Sequence, residues 1–180
     1  MYSQKFLTLT ALVLASTTEA LPATCHEIDP FQGDNLEHLL DTIKSQVCEK
    51  GCKPTTAQFD SWGRDTIVHP FILALSETMG LPNLPTVTKR LTDSISENLL
   101  NTCGVVVGDK DACQGQILDS FGQCMKKNLV SIVLEDADPY SFLVSDAMCE
   151  KAKKYVEGED LWTKVIPGYL DVYASQCLEL

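Results

Sequence analysis

The sequence predicts an all-α protein, a single disulfide-stapled bundle of about six helices. Apolar residues recur at helical spacing over nearly the whole chain after residue 33. Eight cysteines follow an N-terminal segment that is typical of export, and an even number in an exported chain indicates a disulfide framework. No repeat, linker or low-complexity tract divides the remaining chain of about 160 residues, enough for one domain with its own core.

The N-terminal residues have the layout of a secretory signal peptide. Lys5 supplies a positive charge, residues 6–15 form an apolar run, and Thr18-Glu19-Ala20 supplies the small residues before a cleavage site. The run is too short to span a bilayer. A buried N-terminal helix is the alternative, but the run lacks the polar face that such a helix usually has.

The predicted organisation is therefore a signal peptide over residues 1–20 and a single helical cysteine-rich domain over residues 21–180. Cleavage is expected after Ala20, with Ala23 as the alternative site. No later stretch approaches eighteen consecutive apolar residues, so we expect no transmembrane segment. The protein is predicted to be secreted and extracellular.

The net charge of the chain indicates which kinds of partner the protein is not expected to bind. The formal net charge is −11, and Lys5 and Glu19 cancel within the predicted signal peptide, so the mature domain keeps this charge. An acidic surface repels phosphate groups, so we expect no nucleic-acid partner. The same charge favours a monomer in solution.

The cysteines are expected to form up to four disulfides. Cys48 and Cys52, one turn apart, are predicted to anchor two separate partners. No second pair at zinc spacing accompanies them, so no metal or other cofactor is expected. The full set is Cys25, Cys48, Cys52, Cys103, Cys113, Cys124, Cys149 and Cys177.

Helix geometry limits the pairing, although it leaves the connectivity open. Cys113 and Cys124 are eleven residues apart in a predicted helix, hence about 16 Å along its axis, too far to bond to each other. They are expected to bond to two other elements. Cys25 and Cys177 are expected to hold the ends of the domain.

The clearest predicted helix follows Asp34. Asp34 and Glu37 have the spacing of a capping box, and Gly51 is placed to end the helix. One apolar stripe at helical spacing runs between them. It consists of Leu36, Leu39, Leu40, Ile43 and Val47.

A second helical stretch starts around Thr55 and is expected to break at Pro70. Proline removes a backbone donor and disfavours helical geometry at His69. A new helix is then expected from Pro70 to Gly80. Residues 71–75 are all apolar, which predicts a central helix that is surrounded on all sides.

The middle of the chain predicts two more helices. A loop with Pro82 and Pro85 leads to a helix that ends near Cys103, with the apolar stripe Val87, Leu91, Ile95 and Leu99. Residues 104–108 (GVVVG) are a predicted turn and the only stretch with strand character. From Asp111 onward another helix carries Ile117, Phe121, Cys124, Leu129 and Ile132.

The last third predicts two helices with proline signals. Asp138-Pro139 has the pattern of an N-cap followed by proline at the first helical position, and this helix is expected to extend through Tyr155. Asp160 is expected to cap the final segment. Pro167-Gly168 should then break or kink the helix before Tyr169.

The sequence contains no complete catalytic motif. Neither G-x-S-x-G nor H-E-x-x-H occurs, and a calcium loop starting at Asp109 fails because Gln114 stands at the glycine position. Asp65 and His69, four residues apart, remain as a candidate in which a carboxylate orients a general base, although Pro70 disturbs this spacing. The prediction favours a protein that is not an enzyme. The alternative is an exported hydrolase of unrecognised type that uses Asp65 and His69.

The aromatic and aliphatic residues leave room for a cavity between the helices. Disulfides stabilise the fold independently of the core, so the core can tolerate a void. If the core packs completely instead, only a surface for partner proteins remains. The predicted ligand-binding residues are Phe71, Leu75, Phe121, Trp162 and Tyr169.

The predicted function is that of a secreted non-catalytic binding protein, effector- or carrier-like. Its partner would be an apolar, lipid-like small molecule or an extracellular protein. In type alone this architecture resembles the lipid-binding saposin-like domains and elicitins. Their six-cysteine patterns do not match the eight spacings of this chain.

Overall fold

The computed structural model describes residues 20–81 and 84–179. Over these ranges the protein is all-α, as predicted, and no residue lies in a strand. Apart from Ala20, the predicted signal peptide lies outside the described residues, as does Pro82 of the predicted loop. None of the helices in the described ranges is long and apolar enough to cross a membrane.

The described chain forms six helices. Four of them contain a π-helical segment, in which each N–H bonds to the carbonyl five residues earlier. The first three helices are α1 (Asn35–Ile43, then π-helical Lys44–Cys48), α2 (Thr56–Gln58, π-helical Phe59–Val68, His69–Met79) and α3 (Pro85–Leu99, π-helical Leu100–Gly104, Val105–Val107). The others are α4 (Ile117–Ala137), α5 (Asp146–Val156) and α6 (π-helical Leu161–Val165, Ile166–Gln176). Short 3-10 turns occur at Ala23–Glu27 and Asp138–Leu143.

The predicted capping box at the start of α1 is wrong. An N-cap side chain reaches the first amides from an extended backbone, but Asp34 has φ −102° and ψ 16° and its side chain forms no cap hydrogen bond. The side-chain amide of Asn35 instead donates to the carbonyl of Pro30 (3.1 Å). A complete capping box occurs at Thr55 and Gln58, where α2 begins close to its predicted start.

The helix break predicted at Pro70 is also wrong, and at Pro167, where a break or a kink was predicted, the helix does not break. α2 continues through Pro70, and His69 has helical dihedral angles of φ −62° and ψ −49°. Each proline lies two residues after a π-helical segment, 59–68 or 161–165. In a wider π turn, the carbonyl that a proline ring normally meets is displaced, so the chain can remain helical.

Two other predictions fail because tertiary contacts outweigh local propensity. Val105–Val107 is not strand-like but forms the last helical turn of α3, which stops at Gly108 (φ +57°). The single helix predicted from Asp138-Pro139 through Tyr155 is two elements. A 3-10 turn at Asp138–Leu143 is followed by α5, which starts at Asp146.

The apolar segment 71–75 is not surrounded on all sides. α2 contacts α3 and α5, and within His69–Met79 only Ile72 is buried. Leu73 and Ala74 are partly exposed. The continuous apolar run therefore has one inner face and one that is partly in solvent.

All eight cysteines are paired, as predicted, and none is free. Cys48 and Cys52 anchor two separate partners, also as predicted. The prediction that Cys113 and Cys124 share a helix is wrong, because α4 begins only at Ile117. The bridges are Cys25–Cys149, Cys48–Cys113, Cys52–Cys177 and Cys103–Cys124.

The buried side chains form four clusters. The first contains Leu36, Leu40, Leu118 and Trp162, and the second contains Ile72, Ile95, Leu99 and Ile132. The third is Val47 and Tyr173 beside the Cys52–Cys177 bridge, and the fourth is Leu21 beside Cys25–Cys149. At Gly122 α4 lies close to α1, since an added Cβ would be 2.9 Å from Cδ2 of Leu40. The clusters place packed side chains on several sides of the bundle centre.

Removal of the Cys52–Cys177 bridge by the double substitution Cys52→Ala and Cys177→Ala should lower the free energy of unfolding by about 2–4 kcal/mol. The bridge constrains the unfolded chain across a separation of 125 residues. Guanidinium chloride unfolding measures the loss. As a control, the unreduced wild-type protein should take up no alkylating reagent, and two labelled cysteines per molecule would contradict the disulfide assignment.

Candidate functional site: an apolar cavity between the helices

A cavity of about 360 Å³ lies where the first three core clusters meet. We call it the central cavity. Its wall includes Trp162 from the first cluster, Leu99 from the second and Tyr173 from the third. No residue of the fourth cluster lines it. Every wall residue is buried or partly buried. The volume falls within the range of small-molecule pockets, about 300–1,000 Å³.

All six helices contribute to this wall, including every π-helical segment. Each π-helical turn bulges from the regular helix, so its side chains do not continue the ridges that fit between the side chains of a neighbouring helix. The cavity lies where this regular packing is interrupted. The wall residues from the four π-helical segments include Val47, Trp62, Leu100 and Trp162.

Several polar groups of the wall bond to other protein groups. The indole N–H of Trp162 donates to the carbonyl of Val156 (2.9 Å), and that of Trp62 donates to Oε1 of Gln176 (3.2 Å). The hydroxyl of Tyr173 donates to Oε1 of Gln58 (3.1 Å). The surface that remains inside the central cavity is almost entirely apolar, and no Asp, Glu, Lys, Arg or His is among the wall residues.

An empty apolar cavity of this size is costly. At about 24 cal/mol per Å³ of void, a fully enclosed cavity of about 360 Å³ would cost roughly 9 kcal/mol, which is the upper limit here because the central cavity is partly open to solvent. That is comparable with the net stability of a typical domain, about 5–15 kcal/mol. Four disulfides at about 2–4 kcal/mol each offset a cost of this size. Occupancy by an apolar molecule would also reduce it.

The structure brings together four of the five predicted ligand-binding residues. Phe71, Phe121, Trp162 and Tyr169 all line the central cavity. Leu75 does not line it and instead packs against the first core cluster. Position 75 lies one helical turn beyond Phe71, past the end of the wall that α2 supplies.

Phe59, Trp62 and Met125 also line the cavity, although they are not among the predicted ligand-binding residues. Phe59 and Trp62 lie in the part of α2 before Pro70. The predicted break at Pro70 separated them from Phe71, whereas the continuous helix places all three on the cavity side. Their spacing was visible in the sequence, but the absence of a break was not.

Aromatic side chains border the cavity on the side of α2 and α6. Phe71 packs against Tyr155 with ring centroids 6.2 Å apart, and Trp62 packs against Tyr173 at 5.0 Å. Burial raises the pKa of Tyr155, and the neighbouring Tyr169 phenol raises it further. Burial also raises the pKa values of Tyr169 and Tyr173, and Asp111 contributes to the rise at Tyr173. The folded protein therefore favours the neutral form of these three tyrosine side chains.

The structure gives His69 a partner other than Asp65. Its Nδ1 lies 3.1 Å from Oγ1 of Thr92, a buried residue of α3 whose hydroxyl donates to the carbonyl of Thr88 (2.9 Å). Asp65 is exposed. Neither Asp65 nor His69 lines the central cavity. His69 thus links α2 to α3, and the candidate pair is not aimed into this site.

The described residues contain no group of three or more His, Cys, Asp or Glu side chains placed to hold a metal ion. Fold and site together define the class of protein, a disulfide-bonded helical protein with an interior apolar cavity. Comparison of the chain with protein families, with curated proteins and with solved structures finds no match.

The raised pKa values of Tyr155, Tyr169 and Tyr173 predict a loss of stability at alkaline pH. Their pKa values in the folded state are raised above the unfolded value of about 10, so their stabilising contribution is present below that pH and is lost as the pH rises through the folded-state values. Phenolate absorbance should show tyrosines titrating later in the folded protein than in urea, and Tyr169→Phe should remove part of this late phase. A folded-state titration identical to that in urea would contradict the assignment.

Proposed function

We propose that this chain is a secreted, non-catalytic binding protein that holds an apolar, lipid-like small molecule in the central cavity. The observation that carries the proposal is an apolar cavity of about 360 Å³ at the junction of three core clusters. The N-terminal signal pattern and the four disulfides support export to an oxidising compartment.

The size and chemistry of the cavity support binding of useful affinity. An apolar cavity of roughly 150 Å³ can stay dry and bind benzene, and the central cavity has more than twice that volume. Each buried methylene contributes about 0.8 kcal/mol, so ten methylenes contribute about 8 kcal/mol. Association and ordering subtract from this sum. We therefore expect dissociation constants of about 10 μM to 1 mM for a ten-carbon ligand.

The wall chemistry favours a binding role over the hydrolase alternative. General acid–base catalysis needs a titratable group within hydrogen-bonding distance of the reacting atoms. The wall has no Asp, Glu, Lys, Arg or His side chain, and burial raises the pKa values of its tyrosines, Tyr169 and Tyr173, which favours their neutral form. The hydroxyls of Thr56 and Tyr173 are bonded to Gly108 and Gln58. A molecule held in the cavity would meet hydrocarbon and aromatic surfaces.

A substitution that fills the cavity tests the proposal. Val133 is a partly buried wall residue, so Val133→Trp should place an indole in the void and weaken binding of N-phenyl-1-naphthylamine, an uncharged environment-sensitive dye, at least about tenfold. The matched control is Val105→Trp, because Val105 is 74% exposed and lies outside the wall. Fluorescence titration measures the affinity, and circular dichroism checks the fold.

Leu170→Trp provides a second wall variant from another helix, in case the first disturbs folding. The proposal expects the wild type and the Val105→Trp control to bind the dye saturably, and the folded wall variants to bind it weakly. Equal dye affinity in the wild type and both folded wall variants would mean that the dye binds elsewhere. A wild type that binds neither the dye nor any lipid would overturn the proposed function.

A further inference from the structure

The central cavity offers no partner for a charged ligand group. Among its wall residues, the side chains with polar atoms are threonines, Gln58, tryptophans and tyrosines. Gln58 already accepts hydrogen bonds at Oε1 from the backbone N–H of Thr55 (3.3 Å) and from the hydroxyl of Tyr173 (3.1 Å). An ion that enters this space loses its hydration and gains neither an opposite charge nor a set of hydrogen bonds.

The cations closest to the wall in sequence do not change this picture. Arg64 follows the wall residue Gly63, but its guanidinium is paired with the carboxylates of Asp60 and Asp93. Lys53 precedes the wall residue Pro54, and its side chain is exposed to solvent. Lys44 follows the wall residue Ile43 and pairs with Asp119, and Lys126 follows Met125 and is exposed like Lys53. Lys53 supplies the control.

From this arrangement, and resting on the proposed function, we infer that the central cavity selects electrically neutral apolar ligands and rejects ionised amphiphiles of either sign. The chemical class is that of long-chain alcohols, esters and hydrocarbons. The selectivity arises inside the wall, because an unpaired charge buried there costs more than several methylenes contribute.

Amphiphiles of opposite charge distinguish selection by the apolar cavity wall from selection by the charge of the protein surface. The chain carries a formal net charge of −11. If surface charge governed selection, an ammonium amphiphile would bind more tightly than an alcohol, and only a carboxylate would be disfavoured. Loss of hydration in an apolar wall disfavours both ions.

The experiment measures displacement of N-phenyl-1-naphthylamine from the full wild-type protein by 1-decanol, decanoate and decyltrimethylammonium at neutral pH. All three ligands have a chain of ten carbons. The two ions are used below their critical micelle concentrations, and 1-decanol is used below its solubility in water. The expected result is that decanol binds at least about 30-fold more tightly than either ion. The Lys53→Gln variant should give the same ratios.

The outcomes separate the two proposals. One contrary outcome is that decanoate binds as tightly as decanol and that its affinity falls in the Lys53→Gln variant. This outcome would show that the protein anchors the head group, and it would overturn the inference while the binding function stands. Decyltrimethylammonium that equals or exceeds decanol would assign selectivity to surface charge, which also overturns the inference. Absence of binding by the dye and by all three ligands would overturn the proposed function itself.

Discussion

The two disulfides that leave the end of α1 hold the cavity walls in place. Cys48 ends α1 and Cys52 lies four residues further on, after the turn at Gly51, yet they bond to Cys113, just before α4, and to Cys177, at the end of α6. The ends of α1 and α6 and the chain entering α4 are thereby joined at one side of the bundle. Because these constraints act largely on the unfolded chain, the helices can surround a void that apolar contacts alone would tend to close.

The π-helical segments explain why the helices leave space between them. Regular helices pack by fitting ridges of side chains into grooves, and a π-helical turn interrupts those ridges. The longest such segment, Phe59–Val68, supplies Phe59 and Trp62 to the wall, and the segment Leu161–Val165 supplies Trp162. The same segments precede Pro70 and Pro167, so one local feature maintains helix continuity and forms the cavity wall.

The wall surface is almost entirely apolar, and several of its polar atoms find partners within the protein. Trp62 reaches Gln176 across the bundle, Tyr173 reaches Gln58, and Trp162 reaches the carbonyl of Val156. These bonds join α2 to α6 and α6 to α5 while leaving hydrocarbon toward the cavity. The polar atoms of these three side chains bond to the protein, and their carbon atoms face the cavity. This arrangement favours neutral ligands, because a buried polar or charged group without a partner is costly.

The sequence by itself determined the all-α class, the complete pairing of the cysteines, and four of the residues that line the cavity, because helical periodicity and an even cysteine count are local or countable signals. It did not determine that α2 passes through Pro70, that residues 105–107 are helical, or which cysteines bond. Those outcomes depend on contacts between distant segments, as when Cys103 in α3 bonds to Cys124 in α4. The tertiary structure also decided that Phe71 faces the void and Leu75 does not, because a cavity is the space that packed helices fail to fill, and no single segment encodes it.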